Sequence, residues 1–88
     1  MRKARFLIFA LLLLGLPLAA SAVEPVNINT ADAQALASHL KGIGLAKAEA
    51  IVIHREAHGP FQSADDLLQV KGIGKKTVEQ NRDLIRIE

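Results

Sequence analysis

Two five-residue stretches, LKGIG at residues 40–44 and VKGIG at residues 70–74, decide the fold of this chain. They match position by position as an apolar residue, a lysine and then Gly-Ile-Gly. Glycine tolerates the left-handed backbone that a tight turn demands, so each stretch predicts a turn that ends one helix and starts the next. Two copies are too few for a solenoid, which needs three or more repeats, but they suffice for a compact pair of helical hairpins.

Helical patterns flank the first turn. Apolar residues recur at helical spacing between residues 33 and 40, and Thr30 precedes them as a candidate cap. Beyond the turn, residues 45–58 contain no helix breaker and predict a longer second helix, which Gly-Pro at residues 59–60 ends. The segment 23–29, before the first helix, is expected to be a short extended lead.

The second half of the chain repeats this arrangement. Ser63 is expected to cap a short third helix with acidic residues in its first turn, where the helix dipole favours negative charge. The apolar residues Leu67, Leu68 and Val70 are expected to face inward. Residues 75–84 predict a fourth helix, whereas the pattern of the last four residues favours no particular conformation.

These elements predict an all-α domain of four short helices, arranged as two hairpins related by a pseudo-two-fold axis. A domain of this length buries only about 60% of the surface that its unfolded chain exposes, so the core must be small. The chain has no cysteine, so disulfides cannot reinforce it. Ile43 and Ile73 are expected to turn inward and anchor the two turns. The predicted core residues are Leu36, Leu40, Ala48, Ile51, Val52, Phe61, Leu67, Leu68, Val78 and Leu84.

Residues 1–22 have the pattern of a secretory signal peptide. A basic start without acidic residues leads into an apolar run over residues 6–16, which Pro17 breaks, and residues 20–22 are small. An uncleaved anchor is the alternative, but the run falls short of the roughly 20 apolar residues that span a bilayer. We expect cleavage after Ala22, which leaves residues 23–88 as a periplasmic or secreted domain with no stable membrane anchor.

Cleavage would change the charge of the protein. The full chain has a formal net charge of +2 at neutral pH, but three of its basic residues lie before residue 6. Residues 23–88 contain eight Lys and Arg against nine Asp and Glu, a formal charge of −1. A role in nucleic-acid binding must therefore depend on where individual charges lie, since the total charge does not favour it.

Each glycine turn has the features of an anion site. Its glycines leave backbone N–H groups unshielded, and the next helix starts at once, so its free N–H groups and dipole attract a phosphate. Lysines in the first turn of such a helix oppose its dipole, which favours an external anion as their partner. One Gly-Ile-Gly alone is commonly a plain interhelical turn, but the repetition favours phosphate binding. Neither copy fits a mononucleotide-binding loop or a dinucleotide-binding fingerprint.

The chain resembles tandem helix-hairpin-helix proteins, whose fold is SAM-like. Their motif is an apolar residue, a variable residue, Gly-apolar-Gly, three further residues and a small one. Residues 40–48 fit it fully, and residues 70–78 fit with a larger final residue. More narrowly, VNINTA at residues 26–31 and GPF at residues 59–61 resemble the competence protein ComEA family, over about residues 26 to 88. The chain departs from that family at Lys41, where a proline is frequent.

The resemblance implies a domain that holds double-stranded DNA from the minor-groove side by its phosphates, and a role in DNA uptake during natural transformation. It also implies contact with DNA-uptake or type II secretion machinery. The second turn is expected to hold DNA more strongly, because Lys75 and Lys76 follow it where Leu45 and Ala46 follow the first. The predicted DNA-binding residues are Lys41, Gly42, Ile43, Gly44, Ala46, Lys47, Lys71, Gly72, Ile73, Gly74, Lys75, Lys76 and Thr77.

Other functions are less well supported by the residues. His54 and His58 are four apart, but they do not form a zincin motif and have no third ligand, so a solvated helix face is favoured and no metal or cofactor is expected. The sequence shows no nucleophile–base pair, so we expect no enzyme activity. A protein-interaction module of a secretion or pilus system, without DNA binding, stays open as an alternative because of the charge of −1 on residues 23–88.

Overall fold

The computed structural model describes residues 24–88, and the signal peptide predicted at residues 1–22 lies outside them. The predicted all-α fold of four helices is confirmed, with a two-stranded parallel sheet added to it. No helix within residues 24–88 is long and apolar enough to cross a membrane. The elements are β1 (Val26–Asn27), α1 (Ala33–His39), α2 (Leu45–His58), the 3-10 helix η1 (Ala64–Gln69), α3 (Lys75–Asn81), the 3-10 helix η2 (Arg82–Leu84) and β2 (Ile85–Arg86).

Helix α1 begins two residues later than the sequence pattern suggests. Its cap is Asp32, whose Oδ1 accepts a hydrogen bond from the Ala35 N–H at 2.8 Å. The expectation that Thr30 caps this helix is wrong. Thr30 lies in a preceding turn, where its N–H donates to the Asn27 carbonyl at 3.2 Å. Thr and Asp are both preferred capping residues, so residue type alone does not distinguish Thr30 from Asp32. Because Thr30 takes part in the preceding turn, the helix begins only after Asp32.

Helix η1 is a 3-10 helix, and this changes which of its side chains are buried. Leu67 and Val70 are buried, as expected, but Leu68 is 46% exposed, so its placement in the core is wrong. A 3-10 helix has three residues per turn, which puts residues three apart on one side and turns Leu68 away. Ser63 occupies the cap position without a side-chain capping bond, and Asp66 instead accepts the Gln62 N–H at 2.8 Å.

The two ends of the described chain are held together. Strand β1 pairs in parallel with β2, with Val26 opposite Ile85. The Asn29 side chain bridges them to the middle of the chain. Its Oδ1 accepts the Phe61 N–H at 2.7 Å, and its Nδ2 donates to the carbonyls of Phe61 and Ile87 at 3.0 and 2.9 Å. The last residues therefore owe their extended conformation to partners far away in the sequence.

The core lies between the inner faces of the helices and β1. Most of the predicted core is buried, while Val52 and Leu84 are half-buried. Val26 and Ile28 were missed, because an extended lead gave no reason to expect that it packs inward. The buried apolar residues are Val26, Ile28, Leu36, Leu40, Ile43, Ala48, Ile51, Phe61, Leu67, Val70, Ile73 and Val78.

Candidate nucleic-acid interface

Both glycine turns have the backbone that the sequence predicts. Gly42 has φ +70° and Gly72 has φ +92°, a left-handed region that glycine enters without steric cost. Each glycine occupies the third position of a four-residue turn, where a type II turn requires positive φ. Ile43 and Ile73 are buried, which confirms that they anchor the turns. The order of buried and exposed residues is the same over residues 40–49 and 70–79, as a pseudo-two-fold relation requires.

The helices that follow the turns begin without a side-chain cap. Gly44 is the cap residue of α2 and Gly74 that of α3, and neither helix has the capping bond that Asp32 gives α1. The first backbone bonds of these helices reach the Gly44 carbonyl (2.9 Å) and the Gly74 carbonyl (3.1 Å). The N–H groups of residues 45–47 and 75–77 therefore have no intrahelical acceptor. A Cβ built on either cap glycine would meet no atom within 4 Å, so both termini are open to a ligand.

The predicted site residues fall into three groups by exposure. Ile43 and Ile73 are buried and act as anchors, while Lys47 and Thr77 are half-buried. The rest form the exposed part of the two turns and of the helix starts. These exposed residues are Lys41, Gly42, Gly44, Ala46, Lys71, Gly72, Gly74, Lys75 and Lys76.

Lys47 lies against the second turn, although it follows the first turn in sequence. A Cβ built on Gly72 would lie 3.7 Å from both Cγ and Cε of Lys47. Lys47 therefore lies close to the second turn while belonging to the first turn of α2. Each turn contacts the helix that follows the other one, as expected for two hairpins packed about a pseudo-two-fold axis. The second turn thus gains a lysine, in addition to those at 71, 75 and 76.

The first turn is supported by neutral side chains from α3. A Cβ built on Gly42 would lie 3.8 Å from Oε1 of Gln80. The next residue, Asn81, is 1% exposed, and its Oδ1 accepts the Lys41 N–H at 2.6 Å. Its Nδ2 donates to the carbonyls of Lys41 (2.8 Å) and Thr77 (2.9 Å). Sequence reasoning missed Asn81, although it is polar where the repeat has the apolar Ile51 thirty residues earlier.

The second turn closes on itself. The Ile73 N–H donates to the Val70 carbonyl at 3.1 Å, which spans the four-residue turn. Within residues 24–88 the structure has no matching bond between Ile43 and Leu40. The two turns therefore share a sequence and a backbone shape but are held by different bonds.

An ion-pair network ties α3 to η1. Arg82 contacts Asp65 at 2.8 Å and Glu79 at 2.5 Å, with all three side chains substantially exposed. The hydrogen bond and the charge of Arg82 hold the pKa of Glu79 below its ordinary value. The same two carboxylates raise the pKa of Arg82, which stays charged at any pH the protein meets.

The histidine pair of α2 packs against an aromatic ring. The rings of His54 and His58 have centroids 4.5 Å apart, and His54 stacks on Phe61 at 5.3 Å with an interplanar angle of 13°. His54 is half-buried, so the expected solvated face describes only the exposed His58. Within residues 24–88 no group of three or more His, Cys, Asp or Glu side chains is placed to hold a metal ion.

Two packed helical hairpins, each with a buried isoleucine and a glycine turn opening into an uncapped helix, define a tandem helix-hairpin-helix domain. Comparison with known families agrees. The profile of the helix-hairpin-helix motif family matches residues 21–86, so this chain belongs to that family.

Individual relatives extend this assignment. The chain is 56% identical over 62 residues to an uncharacterized protein of Haemophilus influenzae, which covers 70% of this chain and 55% of that protein. It is 43% identical over 63 residues to ComE operon protein 1 of Bacillus subtilis, over 72% of this chain and 30% of that protein. The second match confirms the resemblance to the ComEA family. This chain spans about half and a third, respectively, of the length of these relatives.

A similar segment occurs in a much larger human protein. The S1 RNA-binding domain-containing protein 1 of Homo sapiens is 37% identical over 62 residues, which cover 70% of this chain and 6% of that protein. The domain is therefore found both in short chains and as a small part of long ones.

Proposed function

We propose that this protein binds double-stranded DNA through its phosphates, with one glycine turn on each strand across the minor groove. Membership of the helix-hairpin-helix family and the ComE relative support DNA as the ligand. The single observation that carries the proposal is the pair of open, uncapped helix starts at Gly44 and Gly74. Backbone N–H groups at a helix start favour an anion. Two such helix starts on one small domain suit the two sugar-phosphate backbones of a duplex.

Local charge supports the same ligand. Although residues 23–88 carry a formal charge of −1, lysines 47, 71, 75 and 76 gather at the second turn and Lys41 lies at the first. Lysines at helix starts are unfavourable for the helices themselves, and a bound phosphate would offset that repulsion. These lysines, with the exposed N–H groups, would position the domain on the backbone of a duplex.

The binding should show little sequence preference. The predicted site consists of backbone N–H groups, lysines, the hydroxyl of Thr77 and short apolar side chains, which suit phosphates better than base edges. A single domain should therefore bind in the non-specific range of about 10⁻⁴–10⁻⁶ M at physiological salt. Retention of long DNA would then require many copies along it.

The cellular role we propose is DNA uptake during natural transformation, after export. The ComE relative supports competence, and the signal-peptide pattern of residues 1–22 supports a periplasmic or secreted location. DNA-uptake or secretion machinery is the protein partner this role would require. Export is tested by the mass of the protein in the periplasmic or culture fraction, which should correspond to a chain starting at Val23. A chain that retains Met1 in the membrane fraction would contradict it.

The DNA-binding proposal is tested by gel-shift titration of the purified protein with unrelated duplexes at two salt concentrations. We expect similar affinities for all duplexes and a steep loss with salt, by about 0.9 log unit per log unit of salt for each phosphate neutralised. An absence of affinity for every duplex at low salt would contradict the proposal. It would favour a protein-interaction module, for which the charge of −1 on residues 23–88 gives the physical basis.

A further inference from the structure

We propose that Asn81 is a positioning residue that fixes the shape of the first turn, so that phosphate binding there depends on the docking of α3. This inference rests on the proposed DNA-binding function. Asn81 is the one buried polar residue among residues 24–88, at 1% exposure. A buried amide would be costly without partners, and this one has three backbone partners.

The contacts with Lys41 hold both peptide groups of that residue. The Asn81 side chain accepts the Lys41 N–H at 2.6 Å and donates to the Lys41 carbonyl at 2.8 Å. That carbonyl belongs to the peptide plane joining Lys41 to Gly42, which is the central peptide of the first turn. A trans peptide directs its C=O and N–H to opposite sides. With the carbonyl fixed on Asn81, the Gly42 N–H must point away from α3.

The first turn needs this support more than the second does. The central peptide of a four-residue turn can flip between the type I and type II arrangements, and only type II needs positive φ at the third residue. The second turn is closed by its own bond from the Ile73 N–H to the Val70 carbonyl. The first turn has no matching bond within residues 24–88, and Asn81 makes the bonds that hold its central peptide.

The pseudo-symmetry shows that packing alone does not require an amide at this place. The residue equivalent to Asn81 in the first hairpin is Ile51, which is fully buried and apolar. An apolar side chain with the same number of heavy atoms therefore fills this position in the other copy of the repeat. Asn81 differs from Ile51 in its hydrogen bonds to Lys41. Lys41 belongs to the first turn, which we propose contacts a phosphate.

The first experiment uses the wild-type protein without DNA. Amide hydrogen exchange should show that the Lys41 N–H, bonded to a buried acceptor, exchanges at least about tenfold more slowly than the Lys71 N–H. Lys71 is the matched control, since it holds the same place in the second turn and its N–H has no acceptor within residues 24–88. Equal exchange at the two lysines would overturn the role of Asn81, whether or not the protein binds DNA.

The second experiment uses Asn81→Leu, which keeps the number and branching of the side-chain heavy atoms and removes the bonds. The folded variant should bind duplex DNA up to about tenfold more weakly, with a salt slope smaller by up to about 0.9, because Lys41 would no longer be held against its phosphate. Val26→Ala is the control, because it weakens the core at β1 and leaves both turns intact. It should leave the slope unchanged.

A folded Asn81→Leu protein with wild-type affinity and slope would overturn the inference. If Asn81→Leu does not fold, Asn81→Ser takes its place, since a small hydroxyl admits water to the same position and should give the same loss of slope. Wild-type affinity for DNA is measured first. Its absence would count against the proposed function and leave the hydrogen-exchange comparison as the test of Asn81.

Discussion

The two turns have nearly the same sequence and the same burial, yet they differ in what surrounds them. The second turn is closed by its own backbone bond and is surrounded by lysines 47, 71, 75 and 76. The first turn is held by Asn81, lies against the neutral Gln80 and has Lys41 as its own lysine. The repeat therefore specifies the shape of a turn, whereas part of its support and of its charge comes from the opposite hairpin. We therefore expect the two turns to contribute unequally to DNA binding.

The largest effect is expected for valine in place of a turn glycine. Gly72→Val puts a β-branched residue at φ +92°, which should cost about 1–3 kcal/mol of stability and block the approach of a phosphate. We expect DNA affinity to fall by about a hundredfold or more, and Gly42→Val to cause a smaller loss. Gel-shift titration of the two variants makes the comparison, and equal losses would contradict the inequality of the turns.

A third glycine separates strain from lost DNA contact. Gly59 has φ +91°, almost the value of Gly72, but it ends α2 and precedes no helix start, so it is not one of the predicted DNA-binding residues. Because Gly59 also has ψ 176°, a region that only glycine adopts readily, Gly59→Val should lower the midpoint of thermal unfolding at least as much as Gly72→Val does, while the folded protein keeps its DNA affinity.

A smaller and cleaner effect is expected at the cap glycines. Gly74 has φ −107° and Gly44 has φ −80°, values that alanine adopts without strain, and neither has an atom within 4 Å of a built Cβ. Alanine at either position should change stability by less than about 1 kcal/mol. Gly74→Ala should weaken DNA binding by about tenfold, and Gly44→Ala by less. Wild-type binding by Gly74→Ala would show that phosphate does not approach this helix start.

Lysine substitutions are expected to have smaller effects, which appear in the salt dependence of DNA binding. Replacing Lys75 and Lys76 together by alanine should lower the salt slope of DNA binding by up to about 1.8, against about 0.9 for Lys47→Ala. Lys41→Ala should have the smallest effect, because its turn is expected to contribute less. Affinities at three or more salt concentrations give these slopes. An equal effect of the double variant and of Lys41→Ala would argue against the proposed strength of the second turn.

The smallest effect concerns acid stability. Arg82 lowers the pKa of Glu79, so the stability this pair contributes is present above the ordinary glutamate pKa of 4.5 and is lost as the pH falls through the lowered value. Because the network joins α3 to η1, amide exchange at low pH should accelerate earlier in α3 than in α2. Glu79→Gln should remove this difference in pH dependence. Earlier loss of protection in α2 would contradict the assignment.

The sequence predicted those features that depend on residues close together in the chain. The two turns, their isoleucine anchors and the bounds of α2 follow from the pattern of glycines and apolar residues around each turn. The placement of Lys47 and the role of Asn81 depend on how the two hairpins pack against each other. The sequence around one turn does not show which residues of the other hairpin will contact it. The exposure of Leu68 depends on whether residues 64–69 form a 3-10 helix or an α-helix. A segment of six residues is too short for helix propensities to determine this.

The parallel pairing of β1 with β2 has a mechanical consequence. A chain that enters the domain along β1 leaves it along the neighbouring strand, about 5 Å to the side and in the same direction. If the two ends are pulled apart, the hydrogen bonds between these strands are loaded together in shear instead of opening one after another. When such a domain forms part of a longer polypeptide under tension, the β1–β2 pairing bears the force first. The two hairpins then stay packed until the hydrogen bonds of this pairing break.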